Sequence, residues 1–95
     1  MDSFTVYVAD NFHYMDNEAT YKLGEFASWD EAVAVAERIV EASLREVYRP
    51  DLGAEALYHQ YTLFGEDPYI VPQPEGKRFS AWKYAQRRCQ ELSPA

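Results

Sequence analysis

The stretch from Ser28 to Arg49, SWDEAVAVAERIVEASLREVYR, decides most of what this chain can fold into. It contains no Gly or Pro. Trp29, Val33, Ala36, Val40 and Val47 recur at helical spacing, with Ala32, Ile39 and Leu44 beside them. Together they form one wide apolar stripe on a helix, and Asp30, Glu37, Arg38, Glu41 and Arg45 fall mostly outside it. Ser28 with Glu31 three residues on reads as a capping box, in which each side chain satisfies an otherwise orphan backbone N–H. Pro50 ends the segment by forcing Arg49 out of helical geometry. About 21 residues at 1.5 Å rise make a rod of roughly 31 Å, the width of a small domain. The rest of the chain must pack against it.

On the N-terminal side, Phe4 to Ala9 alternates and is rich in β-branched and aromatic residues. It reads as a strand with Phe4, Val6 and Val8 on one face and Thr5, Tyr7 and Ala9 on the other. Thr20 to Phe26 reads as a second strand, with Tyr21 and Leu23 on one face and Lys22 on the other. Met15-Asp16-Asn17-Glu18 is the best turn between them, so a long hairpin is expected, with room for a bulge near Asp10-Asn11. On the C-terminal side, Ala54 to about Tyr61 reads as a short helix presenting Leu57, Tyr61 and Phe64, closed by Gly65 in a left-handed conformation. Asp67 to Pro72 reads as a third strand, and its prolines suit an edge. The last helix is expected from Ala81 to Leu92, capped by Ser80, stapled by Phe79 and Tyr84, with Trp82, Ala85, Cys89 and Leu92 inward.

These elements imply one α+β domain over residues 1–95, in two layers. A three-stranded antiparallel sheet of order 2-1-3 carries the long helix and the C-terminal helix on one face, with a short helix besides. The expected core joins Trp29, Val33, Ala36 and Val40 to the sheet and to Trp82, Ala85 and Cys89.

Charge narrows the partners. The net charge is −7, unevenly placed. Residues 1–75 hold four Lys and Arg against fifteen Asp and Glu, whereas residues 76–95 hold five against one. An acidic body disfavours nucleic acid and anionic membrane. The basic tail reads as a helix whose cations face the acidic body. A single cysteine cannot form an internal disulfide, which fits a reducing compartment, and no apolar run is long enough to span a membrane. A cytoplasmic protein is expected.

The densest polar and aromatic cluster is Asp10, Asn11, Phe12, His13, Tyr14, Met15 and Asp16. A carboxylate near a histidine can orient an imidazole for base work or supply half a metal site. Asp10 and His13 are three apart, so a regular strand puts them on opposite faces and only a bulge lets them converge. The cluster reads as a contact surface on a hairpin. His59 reads as a surface residue beside Tyr58 and Tyr61, and Cys89 as a buried thiol. Glu66-Asp67 offers a carboxylate pair to a cation, though FGEDP is also ordinary turn chemistry. No zinc spacing, phosphate loop or nucleophile elbow is present, so no catalytic residue, metal or cofactor is assigned.

The stretches DNFHYMDNEATYKLGEF, FGEDPYIVP and FSAWKYAQRRC resemble those of a family of small, uncharacterised bacterial single-domain proteins. The resemblance implies a free-standing domain of about this length and carries over no activity, ligand or functional residue. The function expected from the residues is binding of a protein partner or of a second copy as a homodimer, because Tyr and Trp give contact area at low entropy cost. The alternatives are a small enzyme using His13 with Asp10, and a small-ligand or cation-binding domain around Glu66-Asp67.

Overall fold

A computed structural model of the chain describes residues 3–10 and 20–93. Their elements are β1 (Phe4–Asp10), β2 (Tyr21–Phe26), α1 (Trp29–Val47), α2 (Ala54–Phe64), β3 (Glu66–Val71) and α3 (Ala81–Leu92). The sheet has the order β2-β1-β3, with both pairings antiparallel, as the sequence predicts. The alternation in β1 resolves as read: Phe4, Val6 and Val8 are buried and Thr5, Tyr7 and Ala9 are not.

The bulge expected near Asp10-Asn11 reaches into residues outside those described, and the β1–β2 pairing is described only as far as Val8. Asp10 pairs in register with Glu66, and the irregularity lies in β2, where Gly24 faces Val6, Lys22 faces Tyr7, and Leu23 is the extra residue. One extra residue reverses side-chain parity beyond it. Tyr21 therefore shares the face of Val8, and Lys22 the face of Tyr7. The expected sharing of one face by Tyr21 and Leu23 is lost for that reason.

Ser28 caps α1, its Oγ accepting the Glu31 N–H at 3.1 Å. The helix ends at Val47, and Tyr48 is already extended before Pro50. The expected single core divides in two along α1. Its first half packs Ala32 and Ala36 on Phe4, Val6, Val8 and Ile70, with Trp29 and Val33 alongside. Its second half packs Val40 and Leu44 on Leu57 and Tyr61 of α2 and on Ala81, Ala85 and Cys89 of α3. Nineteen residues of helix reach about 28 Å, whereas three strands at ~4.8 Å spacing are much narrower. The sheet cannot cover the whole stripe, so α2 and α3 cover the remainder, and Phe79 packs on both clusters. The molecule is accordingly elongated, 47 × 28 × 19 Å.

α3 starts and stops as predicted. Ser80 Oγ accepts the Lys83 N–H at 3.3 Å, and the Phe79 and Tyr84 rings lie 6.4 Å apart as the staple requires. Trp82 departs from expectation: it is 37 % exposed and sets its ring edge-on to Tyr58. The inner row is Ala81, Ala85 and Cys89. Three small residues at this spacing bring the helix backbones close, which turns Trp82, one position round, out of the interface.

α2 runs to Phe64, past the expected end at Tyr61, and Phe64 is 51 % exposed while Leu57 and Tyr61 are buried. Gly65 is not left-handed: its φ of −81° and ψ of 177° are extended, and its N–H donates to the Tyr61 carbonyl. Glycine is needed there for space, because a Cβ would sit 2.5 Å from a carbon of the Tyr61 ring. β3 follows at once. The Glu66 N–H donates to Ser43 Oγ at 3.0 Å, and the Glu66 carbonyl accepts the Tyr61 hydroxyl at 2.7 Å. In an antiparallel strand alternate residues point their backbone groups away from the neighbour. Glu66 does so into Ser43 and Tyr61; Pro68, two residues on, has no N–H to offer. Neither Glu66 nor Pro68 therefore has a free N–H to offer a further strand along this part of the edge.

Candidate functional site

Of the seven residues of the hairpin cluster, Asp10 ends β1 opposite Glu66. Asn11, Phe12, His13, Tyr14, Met15 and Asp16 lie outside the described residues, and so does any convergence of Asp10 with His13.

His59 is exposed on α2, where its carbonyl accepts the Thr62 hydroxyl at 2.8 Å. Its tyrosine neighbours in sequence do not join it in a site: Tyr61 is buried and bonded to Glu66, and Tyr58 packs against Trp82. Glu66 and Asp67 are consecutive in a strand, so their carboxylates point to opposite faces and do not form a paired cation site. Glu66 faces Tyr21, whose hydroxyl donates to it at 3.4 Å; burial, then the Glu66 charge, raises the Tyr21 pKa. Asp67 is half-buried, and that burial pushes its carboxyl above the ordinary value. No group of three metal-ligating side chains is found among the described residues. Burial raises the Cys89 thiol to about 11, far from the thiolate chemistry a nucleophile needs.

Of the three cations of α3, Arg88 alone among the described ion pairs faces the acidic body. Its guanidinium grips the Glu41 carboxylate through two nitrogens and reaches Glu91 at 3.3 Å. The Tyr84 hydroxyl donates to the same Glu41 carboxylate at 2.8 Å, and Arg87 lies 5.2 Å from the centre of the Tyr84 ring. The Arg88 bond holds the Glu41 carboxyl below its usual value against the opposing effect of burial. Burial, then the bond to Glu41, pushes Tyr84 up to about 12. The shallow groove of about 540 Å³ beside them is lined by Glu37, Arg38, Glu41 and Arg45, charges of both signs on one helix flank. This network ties α3 to α1. Lys77, Arg78 and Lys83 remain exposed.

Two features absent from the sequence reading stand out. α1 packs on one face of the sheet. On the other, Tyr7 and Tyr69 sit directly opposite each other and stack, with ring centres 5.5 Å apart and planes 19° apart. Val71, one step along that face, is 47 % exposed, and Tyr69 is 37 % exposed. Where this face meets the start of α3 there is a cleft of about 400 Å³, lined by Asp67, Pro68, Tyr69, Phe79, Ser80 and Trp82. The outward position of Tyr7 was legible in the alternation of β1, and the 2-1-3 order already put the third strand beside it. The cleft was not legible, because it depends on where α3 crosses the edge of β3.

Set against protein-family models, curated proteins and solved structures, the chain gives no significant match in any of the three.

Proposed function

We propose that this protein is a binding module that docks a protein partner on the outer face of its sheet. The observation that carries the reading is the Tyr7–Tyr69 stack on an exposed strand face beside Val71. Aromatic side chains held rigid before contact bind at low entropy cost, which is how interface anchors work. The face is a better site than either edge. Ser43, Tyr61 and Pro68 obstruct part of the β3 edge, and the β2 edge carries a bulge and a Lys22–Glu25 ion pair at 3.4 Å, devices that discourage strand addition. A net charge of −7 makes two copies repel, so it favours a partner of opposite charge over self-association.

The test replaces Tyr69 and Val71 by Thr, which keeps strand propensity and removes the apolar anchors. The double variant should fold and lose only about 1–2 kcal/mol, because cross-strand pairs contribute ~0.2–1 kcal/mol each and both side chains are partly exposed. Affinity capture from native extract, read by mass spectrometry, should return a protein with the wild-type chain and not with the variant. Equal capture by both chains refutes the docking face. A dimer seen by sedimentation and abolished in the variant would replace the partner by a second copy.

A further inference from the structure

We infer that the cleft between β3 and the start of α3 receives an alkylammonium group, the end of a lysine side chain presented by the partner. The inference rests on the docking reading for the source of that lysine and on the cleft itself for its chemistry.

The carboxylate comes first. Among the described residues Asp67 accepts no side-chain hydrogen bond and forms no ion pair, although it is half-buried and lines the cleft with Tyr69, Phe79, Ser80 and Trp82. No buried side-chain oxygen among those residues lacks a partner, so the unpartnered oxygens of Asp67 reach solvent, and Asp67 is one of the residues that line the cleft. A carboxylate partly stripped of water and left without a cation is a poor arrangement for stability and a good one for capturing a cation. The raised pKa of Asp67 has burial as its cause and agrees with that.

The walls come next. Tyr69, Phe79 and Trp82 line the same cleft; Tyr69 stacks on Tyr7 and Trp82 sets its ring edge-on to Tyr58, while Phe79 packs into both core clusters behind them. Aromatic faces carry partial negative charge and attract a cation that must leave water. A carboxylate with the exposed rings of Tyr69 and Trp82 in about 400 Å³ suits an organic ammonium, whose carbon stem packs on the rings while its head meets the acid. The start of α3 supplies the competing reading, an anion on its free N–H groups. Two facts oppose it. Ser80 already accepts the Lys83 N–H, and Asp67 would repel an anion at close range.

The experiment titrates the folded, isotope-labelled protein with N-acetyl-lysine methylamide and, separately, with the same compound acetylated on its side-chain nitrogen. Binding is read from the indole N–H resonance of Trp82 and the amide resonances of Asp67, Tyr69 and Ser80. The charged probe should shift these resonances saturably in the millimolar range, and the neutral probe should leave them in place. Asp67→Asn should weaken the charged probe about tenfold or more, the size of a lost charge-assisted contact. Trp82→Leu should weaken it several-fold through loss of a cation–π face. Equal response to both probes, unchanged affinity in Asp67→Asn, or shifts spread over the acidic surface without the Trp82 indole would each overturn the inference. Saturable binding of inorganic phosphate at the same resonances would overturn it in favour of the anion. If partner capture is lost in the Tyr69 and Val71 variant while the lysine probe gives no response, docking stands and the cleft reading falls. If the lysine probe binds while capture is unaffected, the docking reading falls alone.

Discussion

Replacing Gly65 by Ala should destabilise this protein even though the backbone there would accept any residue. The φ of −81° and ψ of 177° are ordinary extended values, so the substitution meets no dihedral strain. By itself it should stabilise the fold by about 0.4–1 kcal/mol, because the unfolded chain loses freedom. Space decides the sign. An added Cβ would lie 2.5 Å and 2.8 Å from two carbons of the Tyr61 ring and 2.9 Å from the Tyr61 carbonyl oxygen. That ring is fully buried, and its hydroxyl is tethered to the Glu66 carbonyl at 2.7 Å. The carbonyl is fixed as well, since it accepts the Gly65 N–H at 2.8 Å. Overpacking of this kind costs ~1–3 kcal/mol, and a wall that cannot yield places it in the upper half of that range. The net loss should be about 1–2.5 kcal/mol, or roughly 4–20 °C in Tm for a domain of this size. Thermal and urea unfolding of the purified variant measure it. The same change in a Tyr61→Leu background should cost clearly less, because the colliding ring is gone, and that coupling separates overlap from any other cause. A Gly65→Ala protein as stable as the parent, or the same cost in both backgrounds, would refute the reasoning.

Asp67→Asn should raise stability at neutral pH. Burial raises the folded-state pKa of Asp67 above its ordinary value of 3.8, so its favourable contribution is complete below that value and is lost as pH rises through the folded pKa. Melting temperatures of both chains between about pH 3 and 7 should therefore coincide at the acid end and diverge towards neutrality, with the Asn chain the more stable. A less stable Asn chain at neutral pH would contradict it. Cys89 should alkylate slowly in native buffer and quickly in denaturant, because burial raises its thiol to about 11. Rapid labelling of the folded protein would show the α3 interface to be open.

How much of this was legible follows from the range of the forces involved. Local signals read correctly. Ser28 and Ser80 cap because a hydroxyl bonds an N–H three residues on, and Phe4, Val6 and Val8 face inward because strand period is two. The order 2-1-3 followed from chain handedness acting on those elements. Errors arose where a residue's environment comes from elsewhere in the chain. Trp82 has the spacing of a core residue, and the close approach that Ala81, Ala85 and Cys89 permit turns it outward. Gly65 has the look of a left-handed helix stop and is instead a gap left for the Tyr61 ring. Ser43 reads as a neutral helix residue until the start of β3 arrives to use its hydroxyl.

The candidate site divides in the same way. Sequence alone determined that Tyr7 points away from the core, that β3 ends the sheet, and that the chain is acidic, since alternation, proline chemistry and charge are properties of neighbouring residues or of the sum. The tertiary structure decided that Tyr7 meets Tyr69 ring to ring, and that Asp67 and Trp82, fifteen residues apart in the chain, line one cleft. The physical reason is the length of α1. One apolar stripe too long for a three-stranded sheet draws α3 across its far end, and the crossing of α3 past the edge of β3 makes the cleft.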